Sequence, residues 1–266
     1  MHETVGEVTR RYLRLVDELL PERVEGLYLV GSVALDDFQP GVSDIDFVAV
    51  TKDALTPEDL GAIAGVHHLL RQARPEPAFD GIYVTWDDLA RDPAAIKVVP
   101  HHDDELFHPA GGTGATPLVW LTLRTRPVAV RGPDGPEVWV DEDAVARWAR
   151  ADLETYWRPW VERQQTLVGR GTMKLADGAV MWGVLSIPRL HRTLATGEVG
   201  SKSLAAEYAL ATFGDDWAPI VREALRLRRG GTQSEEYRRR PLARRRDALD
   251  FMAHVLDDAL TRHPTP

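Results

Sequence analysis

The sequence feature that most constrains the fold is a short apolar strand that ends in a Gly-Ser turn and is followed by two aspartates. Residues 27–30 are apolar and precede Gly31 and Ser32, while Asp44 and Asp46 lie just before a second apolar run. Glycine permits a tight turn, and the small serine leaves amide protons facing outward, an arrangement that suits phosphate oxygens. The pattern predicts two buried strands and, between them, a turn that can hold an anion.

Asp44 and Asp46 are predicted to bind metal. Side chains alternate along a strand, so the two carboxylates point the same way while Ile45 points into the core. Two like charges this close repel each other, and hard cations such as Mg²⁺ remove that cost. Two such ions held a few ångströms apart serve displacement at phosphorus. The simpler alternative, that the aspartates only cap a turn, is disfavoured because the Gly-Ser turn and the apolar run flank them on both sides.

Asp80 is the candidate for a third carboxylate, which a two-metal transferase needs as a metal ligand or as the base for an acceptor hydroxyl. Residues 78–86 have the composition of a strand, and Asp80 lies near its start. The alternative is a strand-edge aspartate that forms a turn with Gly81. We interpret Asp80 as catalytic and the following Asp87 and Asp88 as caps of a helix N-terminus.

The order of the predicted elements gives an α+β chain of two domains. Apolar residues at helical spacing predict a helix over 3–20, and Thr56 with Pro57 begins another. Residues 87–117 are rich in Pro, Gly, His and Asp and predict irregular structure. The Gly-Pro cluster at 131–136 marks the boundary, so the predicted domains are 1–135, a mixed sheet with helices, and 136–266, a helical bundle. Helices in the second domain are predicted near 141–168, 175–196, 202–213, 216–228 and 241–262.

Composition narrows the class of protein further. The chain has 266 residues, of which 44% are hydrophobic, enough for about two domains with real cores. Its net charge of -9 disfavours a nucleic-acid partner and suits a cationic small molecule. The absence of cysteine excludes disulfides and cysteine-based zinc sites or nucleophiles. Neither a leader pattern nor a long apolar run is present, so we expect no membrane contact, a cytoplasmic location and a monomer.

Arg189 and Lys202 are the candidate phosphate-binding residues of the helical half. Pro188 interrupts an apolar helix, and a bend there can aim a neighbouring side chain into a site. Ser201 or Ser203 caps the next helix, with Lys202 at its start. A cation at a helix N-terminus is unfavourable by roughly several tenths of a kcal/mol, because the helix dipole is positive there. An anionic partner such as a triphosphate is a reasonable explanation for a lysine at this position.

Three further groups of residues have simpler interpretations. His101, His102 and His108 surround acidic residues, but zinc-site spacing is absent, and we interpret the segment as a solvated polar loop. Aromatic residues near the start of the helical domain are usually core, yet Trp157 could form a wall for a sugar ring. The many arginines between 222 and 246 are interpreted as an exposed helical face.

The Gly-Ser turn with Asp-x-Asp resembles the signature of the polymerase-β-like nucleotidyltransferases. The later order of an apolar helix, Thr-Gly-Glu and Ser-Lys-x-Leu-Ala-Ala-Glu-Tyr-Ala is similar to the helical domain of the aminoglycoside adenylyltransferases that modify streptomycin and spectinomycin. Residues 121–133 resemble their inter-domain strand and Gly-Pro turn. The likeness spans about residues 25–230, and where those enzymes generally carry a catalytic glutamate this chain has the shorter Asp80.

The resemblance implies a nucleotidyltransferase domain followed by a helical domain, with ATP as nucleotide donor and Mg²⁺ as cofactor. It implies transfer of AMP to a hydroxyl of an aminoglycoside-type antibiotic and release of pyrophosphate. The site residues it implies are Asp44, Asp46 and Asp80 for metal binding and catalysis, and Gly31, Ser32, Arg189 and Lys202 for the triphosphate. The acidic and aromatic residues that hold the acceptor in that family do not match this chain cleanly, and the candidate acceptor contacts here are Trp157, Asp177 and Trp182.

Two alternatives stay open at this stage. One is the same transfer onto another acceptor, either a different small molecule or a protein side chain. The other is a nucleotide-binding regulator that has lost turnover, which the aspartate at position 80 allows. The retained acidic pair and Lys202 argue against the regulator.

Overall fold

The computed structural model describes residues 1–74, 76–103, 106–111, 114–166 and 175–264. These divide into two compact units, Met1–Asp141 and Glu142–Pro266, a division that falls a few residues after the Gly-Pro cluster. The first unit is a mixed sheet with helices and the second is helical, which confirms the predicted α+β fold class. Within the described ranges, no helix combines the length and the apolar character needed to cross a membrane.

The first unit is organised around one sheet, in which the strands lie in the order β5-β4-β3-β2-β1-β6. The central strands β2 and β3 are parallel, and the other neighbouring strands are antiparallel. The strands are β1 (Val24–Leu29), β2 (Ile45–Thr51), β3 (Phe79–Thr85), β4 (His101–Asp103), β5 (Leu106–His108) and β6 (Val128–Arg131). The helices are α1 (Glu3–Leu19), α2 (Gly31–Ala34), α3 (Pro57–Ala73), α4 (Trp86–Leu89) and α5 (Pro117–Thr125).

Both faces of the sheet are buried, which explains why its central strands are apolar at almost every position. Alternate residues of β2 enter different clusters: Phe47 and Ala49 pack with α1 and α3, whereas Val48 and Val50 pack with Trp120 of α5. Ile45 is fully buried, as the strand pattern predicted. Asp46 belongs by alternation to the face of Val48 and Val50.

Local capping signals fix the helix starts that the sequence predicted. The Thr56 side chain accepts a hydrogen bond from Asp59 N, and Asp59 in turn accepts from the Thr56 backbone, so α3 begins with a capping box followed by Pro57. Thr85 and Asp88 form the same arrangement at α4, which confirms the predicted capping role of Asp88.

The second unit packs around a long central helix, α8, which contacts α6, α9, α10 and α12. Pro188 lies inside α8, and Gly197 ends it in the left-handed conformation with φ 72°. A π-helical turn, Leu153–Trp157, connects the first two helices. The helices are α6 (Glu142–Asp152), α7 (Arg158–Thr166), α8 (Asp177–Thr196), α9 (Lys202–Thr212), α10 (Ala218–Arg228), α11 (Glu235–Arg238) and α12 (Pro241–Arg262).

Two segments differ from the sequence-based expectation. Residues 121–125, expected in an inter-domain strand, belong to α5, and the strand begins only at Val128. Residues 87–117, expected to be irregular, contain β4 and β5. Three-residue strands are too short to show a readable periodicity, and their pairing depends on the neighbouring strand rather than on their own side chains.

Candidate functional site

A pocket of about 320 Å³ lies at the beginning of β2 and β3, within the volume range of small-molecule sites. It is bordered by polar side chains from three strands and by apolar side chains from the sheet and α5. Its lining residues are Val30, Asp46, Phe47, Val48, Asp80, Gly81, Ile82, His101, His102, Asp103, Gly114 and Val119.

Asp46 and Asp80 are direct neighbours across two parallel strands. The register of β2 and β3 pairs Asp46 with Asp80, and both residues are half-buried. Paired positions of adjacent strands place their side chains on the same face, with the backbones about 4.8 Å apart. Two carboxylates this close favour a bound cation, because their mutual repulsion would otherwise raise the free energy of the doubly charged state.

Gly31 lies against the Asp46 carboxylate. Val30 N donates to Asp46 O at 2.9 Å, which ties the end of β1 to β2. Gly31 has φ +56°, and a Cβ at this position would lie 2.7 Å from Asp46 Cγ. Glycine is therefore required twice, for the left-handed backbone and for the close approach of the carboxylate.

Ser32 supplies a buried hydroxyl that makes no hydrogen bond among the residues described. Buried polar atoms in native proteins are almost always hydrogen-bonded, so an orphaned hydroxyl indicates a ligand atom or solvent at this position. Ser32 is the second residue of α2, directly after the glycine that contacts Asp46. The predicted triphosphate seat thus has an available donor beside one of the two paired carboxylates.

Asp44 lies outside this pocket. It directly precedes β2, is exposed, and lines a neighbouring groove with Gly41, Ser43 and Arg74. In the part of the chain that the structure describes, no group of three or more His, Asp or Glu side chains is arranged to hold a metal ion. Asp46 and Asp80 thus line the pocket, whereas Asp44 lines the neighbouring groove.

The donor set of the pocket nevertheless fits magnesium. Two neighbouring carboxylates and an unsatisfied hydroxyl are oxygen donors, which Mg²⁺ prefers, and the ion keeps several of its waters in such sites. The ligand roles of Asp44, Asp46 and Asp80 stay predictions.

His102 is a residue of the site that sequence reasoning missed. Its Nδ1 lies 2.8 Å from Asp80 Oδ1, and its side chain is 8% exposed. The interpretation of this segment as a solvated polar loop is wrong for His102, because β4 pairs with β3 and carries the ring into the unit. Only the register Gly81 with His102 brings the two side chains together, and no local pattern specifies it.

A buried hydrogen-bonded group supports His102 from behind. The His102 ring stacks on His67 with centroids 4.0 Å apart, and His67 Nε2 lies 2.8 Å from the Tyr83 hydroxyl, which lies 2.8 Å from the Tyr12 hydroxyl. Burial, with a smaller effect of His102, holds the pKa of His67 well below its usual range. Burial also raises the pKa of Tyr83 well above its usual range, and a smaller contribution comes from Tyr12. The stack therefore contains a neutral His67 and protonated phenols.

The predicted phosphate-binding residues of the second unit are both half-buried. Arg189 follows Pro188 in α8, and its charge partly offsets the effect of burial, which raises the pKa of Asp152. Lys202 is the first residue of α9, whose cap is Ser201: its Oγ accepts from Leu204 N at 3.1 Å. The capping role of Ser201 is confirmed, whereas phosphate binding by Arg189 and Lys202 stays a prediction.

The predicted acceptor contacts have different surroundings. Trp157 is 3% exposed and packs in a cluster with Trp182, their ring centroids 4.2 Å apart and their planes tilted by 42°, whereas Tyr156 beside it is 49% exposed. Asp177 pairs with Arg244 at 2.6 Å and accepts from Gln233 at 2.8 Å. Tyr156 is therefore the aromatic residue of this cluster that a ligand could reach most directly.

Comparison with known proteins adds independent information. Residues 9–78 match the family model for the nucleotidyltransferase domain, and residues 170–254 match the model for the aminoglycoside adenylyltransferase C-terminal domain. Among curated proteins, no match was found.

A solved structure has the same fold. It is the spectinomycin adenyltransferase AAD(9) from Enterococcus faecialis, crystallised with ATP and spectinomycin, with a TM-score of 0.61 at 12% identity over 93% of this chain and 99% of that chain. At this identity the likeness shows the fold alone. The two family models cover more than half of the chain, one for each half of the architecture. The chain therefore combines a domain of the nucleotidyltransferase family with a C-terminal domain of the aminoglycoside adenylyltransferase family.

Proposed function

We propose that the chain transfers AMP from Mg·ATP to a hydroxyl of a cationic aminoglycoside-type antibiotic, streptomycin or spectinomycin being the first candidates, and releases pyrophosphate. The observation that carries the proposal is the pairing of Asp46 with Asp80 in a pocket beside the Gly31 turn. The family supports the reaction type. The solved structure of AAD(9) with ATP and spectinomycin supports the choice of nucleotide and acceptor.

The reaction can be written with the residues of the pocket. The acceptor hydroxyl gives its proton to the Asp80 carboxylate while its oxygen attacks the α-phosphorus of ATP. A new bond forms between this oxygen and phosphorus as the bond from phosphorus to the leaving oxygen breaks, and pyrophosphate departs with the electron pair. Mg²⁺, held by Asp44, Asp46 and Asp80, would neutralise phosphate charge.

The phosphate groups have candidate donors in the Ser32 hydroxyl, which has no other described partner, and in the backbone of the Gly31 turn. Arg189 and Lys202 are the other predicted phosphate-binding residues, and their positive charges would offset the negative charge of the leaving pyrophosphate. Exchange of Lys202 for methionine should therefore weaken ATP binding measured by calorimetry.

The acceptor is proposed from charge and from the aromatic cluster. The net charge of -9 would attract a polycation from solution. Trp157, Asp177 and Trp182 are the predicted contacts. Because Trp157 is buried, it would support the neighbouring Trp182 ring without touching the acceptor itself. We propose a monomer that acts on small molecules in the cytoplasm, where its nucleotide donor is abundant.

Pyrophosphate release is the experiment that tests this function. The purified chain is incubated with ATP and Mg²⁺, alone and with a panel of aminoglycosides, and release is expected only with an acceptor present. Asp46→Asn should abolish release, whereas Asp53→Asn, a change to an exposed aspartate just past the other end of β2, should not. Release with no aminoglycoside but with another hydroxyl compound or a protein would favour the other acceptors. ATP binding without release under any condition would favour the regulator.

A further inference from the structure

His102 is held in place by its strand and by the ring of His67. Its backbone pairs with Gly81 in β3, its residue is 7% exposed, and one ring face lies on His67 with an angle of 8° between the planes. His67 is in turn held by the Tyr83 hydroxyl, and Tyr83 by the Tyr12 hydroxyl. A ring fixed by stacking, pairing and burial has little rotational freedom left, so its Nδ1 has a defined position.

The hydrogen-bond partner of the His102 ring is the Asp80 carboxylate, which can rotate about its terminal torsion. The terminal torsion of aspartate is broad, so the plane of the Asp80 carboxylate is not set by its rotamer. The 2.8 Å contact between His102 Nδ1 and Asp80 Oδ1 sets that plane and leaves Oδ2 for a second partner in the pocket. Transfer reactions depend steeply on such orientation, since a misplacement of about 1 Å can cost about 100-fold in rate.

We propose that His102 is a positioning residue of this enzyme, which orients the Asp80 carboxylate for the transfer reaction and is itself held in place by His67. The proposal rests on the proposed function, because Asp80 needs a defined orientation only if it acts on the transferred group or its acceptor. His102 acts through Asp80, with no contact to substrate required of it. Its role resembles that of the outer partners that orient functional side chains in other sites.

Two substitutions separate the hydrogen bond from the packing. His102→Phe keeps a ring that can stack on His67 but has no donor for Asp80. His102→Asn loses the ring but carries an amide nitrogen near the position of Nδ1. His108→Phe is the matched control, because His108 stacks on His101 in the next strand and does not line the pocket.

The expected result is a defect in turnover and not in binding. For His102→Phe, kcat should fall by about 10–100-fold, as for the loss of an outer partner, while the KM for ATP stays within about twofold. His102→Asn should recover most of the lost kcat although it removes more of the packing. His108→Phe should leave kcat, KM and melting temperature unchanged.

A second measurement observes the His102 ring itself, in proteins that keep this histidine. In ¹⁵N-histidine spectra, Asp80→Asn should shift the Nδ1 resonance of His102 and leave that of His108 unchanged. A missing shift overturns the proposal even if the His102 variants do not fold. If the wild type transfers AMP and His102→Phe keeps its kcat, the positioning role is wrong and the proposed function stands. If the wild type transfers nothing to any acceptor, the proposed function fails, and the role of His102 fails with it.

Discussion

Exchange of Gly31 for alanine should disable the site while leaving the fold intact. Gly31 has φ +56°, a conformation that costs alanine about 1 kcal/mol or slightly more. The added Cβ would lie 2.7 Å from Asp46 Cγ and closer still to Oδ2, so the carboxylate must retreat by at least roughly 0.7 Å to reach ordinary contact at 3.4 Å. Because the carboxylate borders open pocket volume, we expect it to move into the pocket, away from its position beside Asp80.

The magnitude follows from these distances. A displacement of this size at a group that holds or activates a reactant reduces kcat/KM by about 100-fold, since transfer depends steeply on position. The strain of the backbone lowers the free energy of unfolding by about 1–2 kcal/mol. Pyrophosphate release gives kcat/KM, and chemical denaturation gives the stability.

Gly41→Ala is the matched control for the backbone effect. Gly41 has φ +75° in the same connection between β1 and β2, but a Cβ added there would have no atom of the described residues within 4 Å. It should lose about the same stability as Gly31→Ala and keep kcat/KM within about twofold. The reasoning is refuted if Gly31→Ala keeps wild-type kcat/KM, or if both variants lose activity equally.

Three further predictions concern the stability of each unit. Burial keeps His67 neutral in the folded protein, whereas this histidine gains a proton in the unfolded chain below about pH 6.5. The free energy of unfolding should therefore hold above that pH and fall below it, by up to about 1.4 kcal/mol per pH unit. His67→Gln should flatten this loss in melting curves from about pH 5 to 7. Ser201→Ala removes the cap of Leu204 N and should cost about 1 kcal/mol in denaturant unfolding, and an unchanged midpoint would contradict the assigned cap. Arg244→Met leaves the fully buried Glu223 without its ion-pair partner and should cost about 3–5 kcal/mol, with part recovered in the double variant with Glu223→Met; additive losses would contradict the pairing.

The sequence predicted those parts of the fold that carry their own local signals. The helix over residues 3–20, the capped start of α3, the Gly197 stop and the Ser201 cap each depend on a few neighbouring residues, and the structure contains all of them. Strand β2 was readable because its run of apolar residues is long enough to be buried on both faces.

The site was predictable in part for the same reason. Gly31, Asp46 and Asp80 lie in or beside strands with clear patterns, so their convergence followed from the order of the strands. The place of His102 in the site could not be predicted, because only the pairing of its three-residue strand with β3 brings it beside Asp80. Asp44 was expected on the strand itself, but β2 begins one residue later, and local backbone pairing decides such boundaries.

The surroundings of the predicted acceptor contacts depend on tertiary packing that composition could not reveal. The aromatic residues around Trp157 share helical spacing with ordinary core residues, and burial distinguishes Trp157 from the exposed Tyr156. The π-helical turn that carries both residues has no sequence signature of its own.

The most direct test of the central claim follows the α-phosphate of ATP. Labelled at the α-phosphorus, ATP should pass its label to streptomycin or spectinomycin in the presence of Mg²⁺, whereas label at the γ-phosphorus should appear only in pyrophosphate. The transfer should disappear in Asp46→Asn and persist in Asp53→Asn. Label that stays on the nucleotide with every acceptor, or an Asp46→Asn variant that transfers at the wild-type rate, would contradict the account.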